Sequence, residues 1–130
     1  MKRIVYLSVF ERTDNGYSVY FPDLPGCITV GDSIEETTKN AKECLALHVY
    51  GLLKDNEQLP TPSETIKDID SNDMIVPISV FPELEKRKFD NKKVKTNCTI
   101  SNWVKELGEQ NNVNFSQLLE NAILEYLDIN

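Results

Sequence analysis

Lys93-Val94-Lys95-Thr96-Asn97-Cys98-Thr99-Ile100, followed by two amphipathic stretches split at Asn111-Asn112-Val113-Asn114, decides how this chain folds. In an extended strand Val94, Thr96, Cys98 and Ile100 point one way, and Lys93, Lys95, Asn97 and Thr99 the other. Ser101 is placed to cap a first helix with a stripe of Trp103, Val104 and Leu107. Gly108 weakens that helix by roughly 1 kcal/mol relative to alanine. Asn114, with Gln117 three residues on, is a good start for a second helix. That helix carries Phe115, Leu118, Leu119, Ala122, Ile123, Tyr126 and Leu127. So broad an apolar face cannot be buried within one module of about forty residues, which predicts an intertwined dimer. Two copies of the strand would form an antiparallel ribbon, one of the few elements that fits the DNA major groove. There lysine suits guanine acceptors and asparagine suits adenine. The backbone N–H groups around Asn114, Phe115 and Ser116 could hold a phosphate. The plainer alternative is a dimerisation module that never meets DNA.

The chain as a whole is acidic, with a formal net charge of −7 over 130 residues. Most of that charge lies elsewhere: residues from Lys92 onward sum to −1 and the first 91 to −6. An acidic body joined to a locally basic ribbon suits two partners, a basic protein and DNA. The cysteines, Cys27, Cys44 and Cys98, are odd in number and lack Cys-x-x-Cys spacing, which argues against a disulfide framework and a zinc site. The single histidine, His48, sits at helical spacing with Cys44, Leu45 and Leu52 and reads as a packed or boundary residue. The apolar runs are too short to span a membrane. The start, Met1-Lys2-Arg3-Ile4-Val5-Tyr6, reads as a strand and not a signal peptide, so the expected location is the cytoplasm.

The first two thirds predict an α+β domain. Ile4–Phe10 reads as a strand, Thr13-Asp14-Asn15-Gly16 as a hairpin turn tolerant of positive φ, and Tyr17–Phe21 as the return strand. Pro22-Asp23-Leu24-Pro25-Gly26 breaks it, and Cys27–Val30 forms a third strand. Ser33-Ile34-Glu35-Glu36 matches a capping box. Ile34, Ala41, Leu45, His48 and Leu52 then form one buried stripe of a helix that ends near Lys54-Asp55-Asn56. Leu59-Pro60-Thr61-Pro62-Ser63 reads as an extended linker. Met74–Phe81 reads as a strand at an edge or bulge because of Pro77. Residues 83–91 read as a hinge, in part helical. The expected organisation is therefore 1–82, a hinge at 83–91, and 92–130.

The strand and helix pair over Lys92 to about Leu127 resembles the ribbon-helix-helix family of bacterial repressors. The resemblance puts base reading on Lys95, Asn97 and Thr99, beside Lys93, and a phosphate clamp on Asn114, Phe115 and Ser116. Thr99 departs from the family pattern, since a small hydroxyl reads bases weakly.

The segment Tyr17-Ser18-Val19-Tyr20-Phe21-Pro22-Asp23-Leu24-Pro25-Gly26-Cys27 is followed by Thr29-Val30-Gly31-Asp32-Ser33-Ile34-Glu35-Glu36. Together with Asn40-Ala41 and Leu59-Pro60-Thr61-Pro62-Ser63, it resembles the HicB antitoxins over roughly Ile4 to Phe81. That family implies a partial RNase H-like sheet with one main helix. It also implies a partner, the HicA toxin, a small basic ribonuclease with a double-stranded-RNA-binding-like fold. The antitoxin masks the toxin's RNA-binding surface and catalytic histidine, and represses its own operon, usually with the toxin bound. On charge grounds an acidic domain suits a basic toxin. The hairpin and the loop through Asp23 and Leu24, with Asp32 and Glu36 nearby, are the expected toxin-facing residues, though the sequence does not show which face is used.

An active nuclease of this type would need several carboxylates converging on two metals. The first strand offers none, and Asp23 and Asp32 read more simply as turn and helix-start residues. No catalytic residue, metal or cofactor is therefore expected. The runner-up function is a stand-alone ribbon-helix-helix repressor whose N-terminal domain senses a ligand or only oligomerises. The expected assembly is a homodimer through the C-terminal module; whether the N-terminal domains pair into a higher oligomer is left open.

Overall fold

Asp14 and Asn15 link two long antiparallel strands, β1 (Ile4–Thr13) and β2 (Gly16–Tyr20), closed by the pair Thr13 and Gly16. The hairpin forms where the Asn-Gly signal placed it, but Asn15 does not take up positive φ. The glycine is needed for a different reason. A Cβ on Gly16 would run into the Gly31 carbonyl oxygen of the neighbouring strand. The computed structural model describes residues 2–90 and 93–129. It divides the chain into two compact units, Met1–Lys92 and Lys93–Asn130.

In the first unit, β3 (Ile28–Gly31) pairs with β2, and β4 (Met74–Val80) pairs with β1, all antiparallel, in the order β3-β2-β1-β4. Pro77 lies opposite Leu7 on an edge strand, where its missing N–H costs no ladder bond. Helix α1 (Ile34–Lys54) follows β3 and packs on one sheet face. The inward rows alternate as a half-buried sheet requires: Tyr6 opposite Ile78, and Phe10 opposite Val19. They close the core with Phe21, Leu24, Cys27, Ala41, Leu45, Val49 and Val80. Truncating one of these large side chains, Phe10 for example, costs roughly 3–5 kcal/mol.

The buried stripe of α1 is Thr37, Ala41, Leu45 and Val49, turned from the expected one. Ile34 is 51% exposed, and His48 and Leu52 are half-buried. Thr37 can enter the core because its hydroxyl is satisfied by the Ser33 carbonyl and because Gly31 leaves room for it. The capping box forms with a shift of one residue. Ser33 Oγ accepts from the Glu36 N–H at 3.1 Å, and Glu36 reaches back to the Asp32 N–H at 3.3 Å. The helix ends in a Schellman motif: Asn56 takes φ 55, its N–H bonds the Leu53 carbonyl, and the Glu57 N–H bonds that of Leu52.

The stretch expected as a partly helical hinge forms a helix, α2 (Pro82–Asp90). Proline suits the first helical position, and Phe89 stacks on Tyr50 of α1 with ring centroids 4.3 Å apart. A charged stretch with one aromatic anchor carries little periodic signal, which is why its sequence shows only part of the helix. Asn91, the last residue of that expected hinge, and Lys92, the first of the expected C-terminal module, lie outside the described residues.

The second unit holds α3 (Asn102–Gln110) and α4 (Phe115–Tyr126). Both end in Schellman motifs, with Asn112 at φ 55 and Asp128 at φ 57. The strand expected over Lys93–Ile100 is not formed; these residues are exposed and join no ladder with the described strands. A ribbon strand has its hydrogen-bonding partner only in a second copy, so a single chain cannot show it. Neither helix has a buried residue. Trp103, Leu107, Leu118 and Ile123 are all at least half exposed.

Candidate functional site

Lys93, Lys95, Asn97 and Thr99 are all exposed on the extended segment that precedes α3. Lys93 makes a loose ion pair with Glu120, 3.8 Å between Nζ and Oε1. Both partners are well exposed, so the pair holds Lys93 only weakly. At the start of α4, Asn114 Oδ1 accepts from the Gln117 N–H at 3.0 Å. The Asn114 carbonyl accepts from Leu118. Asn114 is thus a working N-cap, which leaves the Phe115 and Ser116 N–H groups at the positive end of the helix dipole. The Phe115 ring lies where a Cβ on Gly108 would stand, which gives that helix-weakening glycine a purpose.

In the first unit, the loop between β2 and β3 is tightly wound. The Leu24 N–H bonds the Phe21 carbonyl, Cys27 bonds Leu24, and Phe21 bonds Cys27. Gly26, at φ 88, turns the chain within it. Leu24 is 1% exposed and belongs to the core, which corrects its expected place on a partner-facing surface. Its apolar side chain is worth more inside, where it anchors the loop from beneath. Asp23 instead points to the segment after α1: its carboxylate accepts from the Ser63 N–H at 2.7 Å and from Ser63 Oγ at 2.6 Å. Tyr6 donates to the Pro60 carbonyl at 2.7 Å. Burial, reinforced by the charge of Asp23, pushes the Tyr6 phenol pKa up. The Leu59–Ser63 segment is therefore strapped at two points, to strand β1 through Tyr6 and to the β2–β3 loop through Asp23.

Asp32 and Glu36 come together at the start of α1, but Asp23 is hydrogen-bonded elsewhere. Among the described residues no group of three or more His, Cys, Asp or Glu could hold a metal ion. Ser63 and Tyr6 escaped sequence reading; a serine after two prolines carries no signal of what it will bond. No helix among the described residues is long and apolar enough to cross a membrane.

A family model described as the HicB-like antitoxin of bacterial toxin-antitoxin systems matches residues 6–122. The chain belongs to that family. The match runs from the first unit into helix α4 of the second. HicB-like proteins are antitoxins, not enzymes. Antitoxin HicB 2 of Photorhabdus laumondii is 36% identical over 62 residues, 48% of this chain and 45% of that protein. A protein from the rep-hol intergenic region of Haemophilus phage HP1 is 42% identical over 57 residues, 44% of this chain and 43% of that one. The chain thus spans less than half the length of these curated relatives. Among solved structures, the antitoxin HicB3 crystal structure superposes with a TM-score of 0.54 at 25% identity, covering 94% of this chain and 97% of that one.

Proposed function

We propose that this HicB-like chain neutralises a HicA-type, mRNA-cleaving toxin through its acidic N-terminal unit and represses its own operon through its C-terminal module. The observation that carries the reading is the C-terminal unit itself. Most of its large apolar side chains are exposed, and its basic segment Lys93–Ile100 has no strand partner among the described residues. Pairing with a second copy satisfies both needs at once: the helices gain a core and the strands become a ribbon. That ribbon would present Lys93, Lys95, Asn97 and Thr99 to base edges, and the Asn114–Ser116 turn to phosphate. The assembly is then a cytoplasmic homodimer bound to operator DNA.

Neutralisation is assigned to the first unit because it carries most of the negative charge, which would steer a basic partner. Asp23, Asp32 and Glu36 are the residues proposed to face the toxin, with Leu24 supporting their loop from the core. The partial RNase H-like description of this unit rests on the β1-β2-β3 meander followed by α1. The test is co-expression with the neighbouring short basic reading frame. Growth should be restored in cells producing that toxin. Failure to rescue, with operator binding retained, would leave a stand-alone ribbon-helix-helix repressor as the better description.

A further inference from the structure

Cys27 and Cys44 come from different elements, the loop entering β3 and the middle of α1, yet their Sγ atoms lie 3.6 Å apart. Both are free thiols, Cys27 buried and Cys44 half-buried. Cys44 Sγ also donates to the Ile28 carbonyl at 3.5 Å, which holds it over the start of β3. The Cys27 backbone is fixed by bonds to Leu24 and Phe21. A disulfide needs the sulfurs about 2.0 Å apart, so a closure of roughly 1.6 Å would join them.

We propose that Cys27 and Cys44 form a reversible intramolecular disulfide that staples the β2–β3 loop to α1 when the protein meets a peroxide. The inference is independent of the antitoxin reading. Cys44, the more accessible thiol, is the group that peroxide reaches first. Its thiolate attacks one peroxide oxygen, the O–O bond breaks, and a sulfenic acid forms while the departing hydroxide takes up the proton the Cys44 thiol released, leaving as water. The Cys27 sulfur then attacks the sulfenic sulfur, the S–O bond breaks, and the Cys27 proton leaves with the departing hydroxide as a second water. Two electrons pass from the two sulfurs to one peroxide, and a dithiol reductant reverses the change. Burial, with the hydrogen bond to Cys44, raises the Cys27 thiol pKa, which leaves Cys44 as the thiol that meets the oxidant first. Cys98, exposed in the other unit, has no part in the bridge.

The experiment uses the full chain carrying Cys98→Ser, to remove bridging between copies. Reduced protein is treated with a small excess of hydrogen peroxide at neutral pH. Cys27 and Cys44 should lose their free thiols together, the intact mass should fall by about 2 Da, and a digest should yield one peptide pair joined through them. Dithiothreitol should restore both thiols. Closing a loop of this length should also raise Tm by roughly 10 °C. Separate sulfinic or sulfonic acids on the two residues, or thiols that survive while added glutathione is oxidised, would overturn the proposal.

Discussion

Asp23 grips Ser63 through both carboxylate oxygens, at 2.6 Å to the hydroxyl and 2.7 Å to the backbone N–H. The two residues are 40 positions apart, on either side of β3 and α1. The bond ties the loop between β2 and β3 to the chain leaving α1, beside the link from Tyr6 to Pro60. Bonds to a charged acceptor are the stronger kind, though exposure of Ser63 reduces their worth.

Asp23→Ala should therefore release the strap at a cost of about 1 kcal/mol. Urea denaturation should show the loss, and limited proteolysis should cut faster between Leu59 and Ser63. An unchanged cleavage rate would mean that Tyr6 alone holds the segment.

Stability should fall on the alkaline side. Burial raises the Tyr6 and Tyr20 phenol pKa values above their ordinary 10.0, with nearby carboxylates adding to it, and burial raises the Cys27 thiol above its ordinary 9.0. Each group keeps its proton longer in the folded chain than in the unfolded one. Between the two pKa values the folded state binds more protons, so unfolding free energy decreases as pH rises. The contribution is complete below about pH 9 and is lost progressively above it. Thermal melts at rising pH should show this decline, and Tyr6→Phe should make it shallower.

Leu119→Glu or Ile123→Glu should leave the first unit folded and yield monomers. Both residues lie on the exposed face of α4. A carboxylate there would have to be buried unpaired in any dimer core, costing several kcal/mol. Sedimentation at micromolar concentration should report the monomer, and operator binding should disappear with it. A dimer that persists would place the interface elsewhere.

Lys95→Ala and Asn97→Ala should each weaken operator binding by roughly 1–3 kcal/mol if they read base edges, and leave toxin neutralisation intact. Binding by the unaltered chain should weaken steeply with salt as phosphate contacts release counterions. Normal affinity in both variants would assign the ribbon a role in dimerisation alone. Thr99→Ala should matter less, since one small hydroxyl contributes little base discrimination.

Much of this architecture is legible in sequence because its signals are local. Asn15-Gly16 marked the hairpin, Ser33 and Glu36 marked the start of α1, and Pro77 marked an edge strand. Each depends on backbone geometry within four residues. The alternation of Lys93–Ile100 and the broad apolar face of α4 raise the expectation of a second copy, but no strand forms over those residues in the single chain. What the tertiary structure decided is everything that depends on distant partners. It turned the α1 stripe onto Thr37 and Val49, sent Leu24 into the core, and made a helix of the charged stretch through Phe89. It set Asp23 on Ser63 and Cys27 beside Cys44. Those pairs arise from how the sheet, the loop and α1 pack together, and no local pattern in the chain encodes that packing.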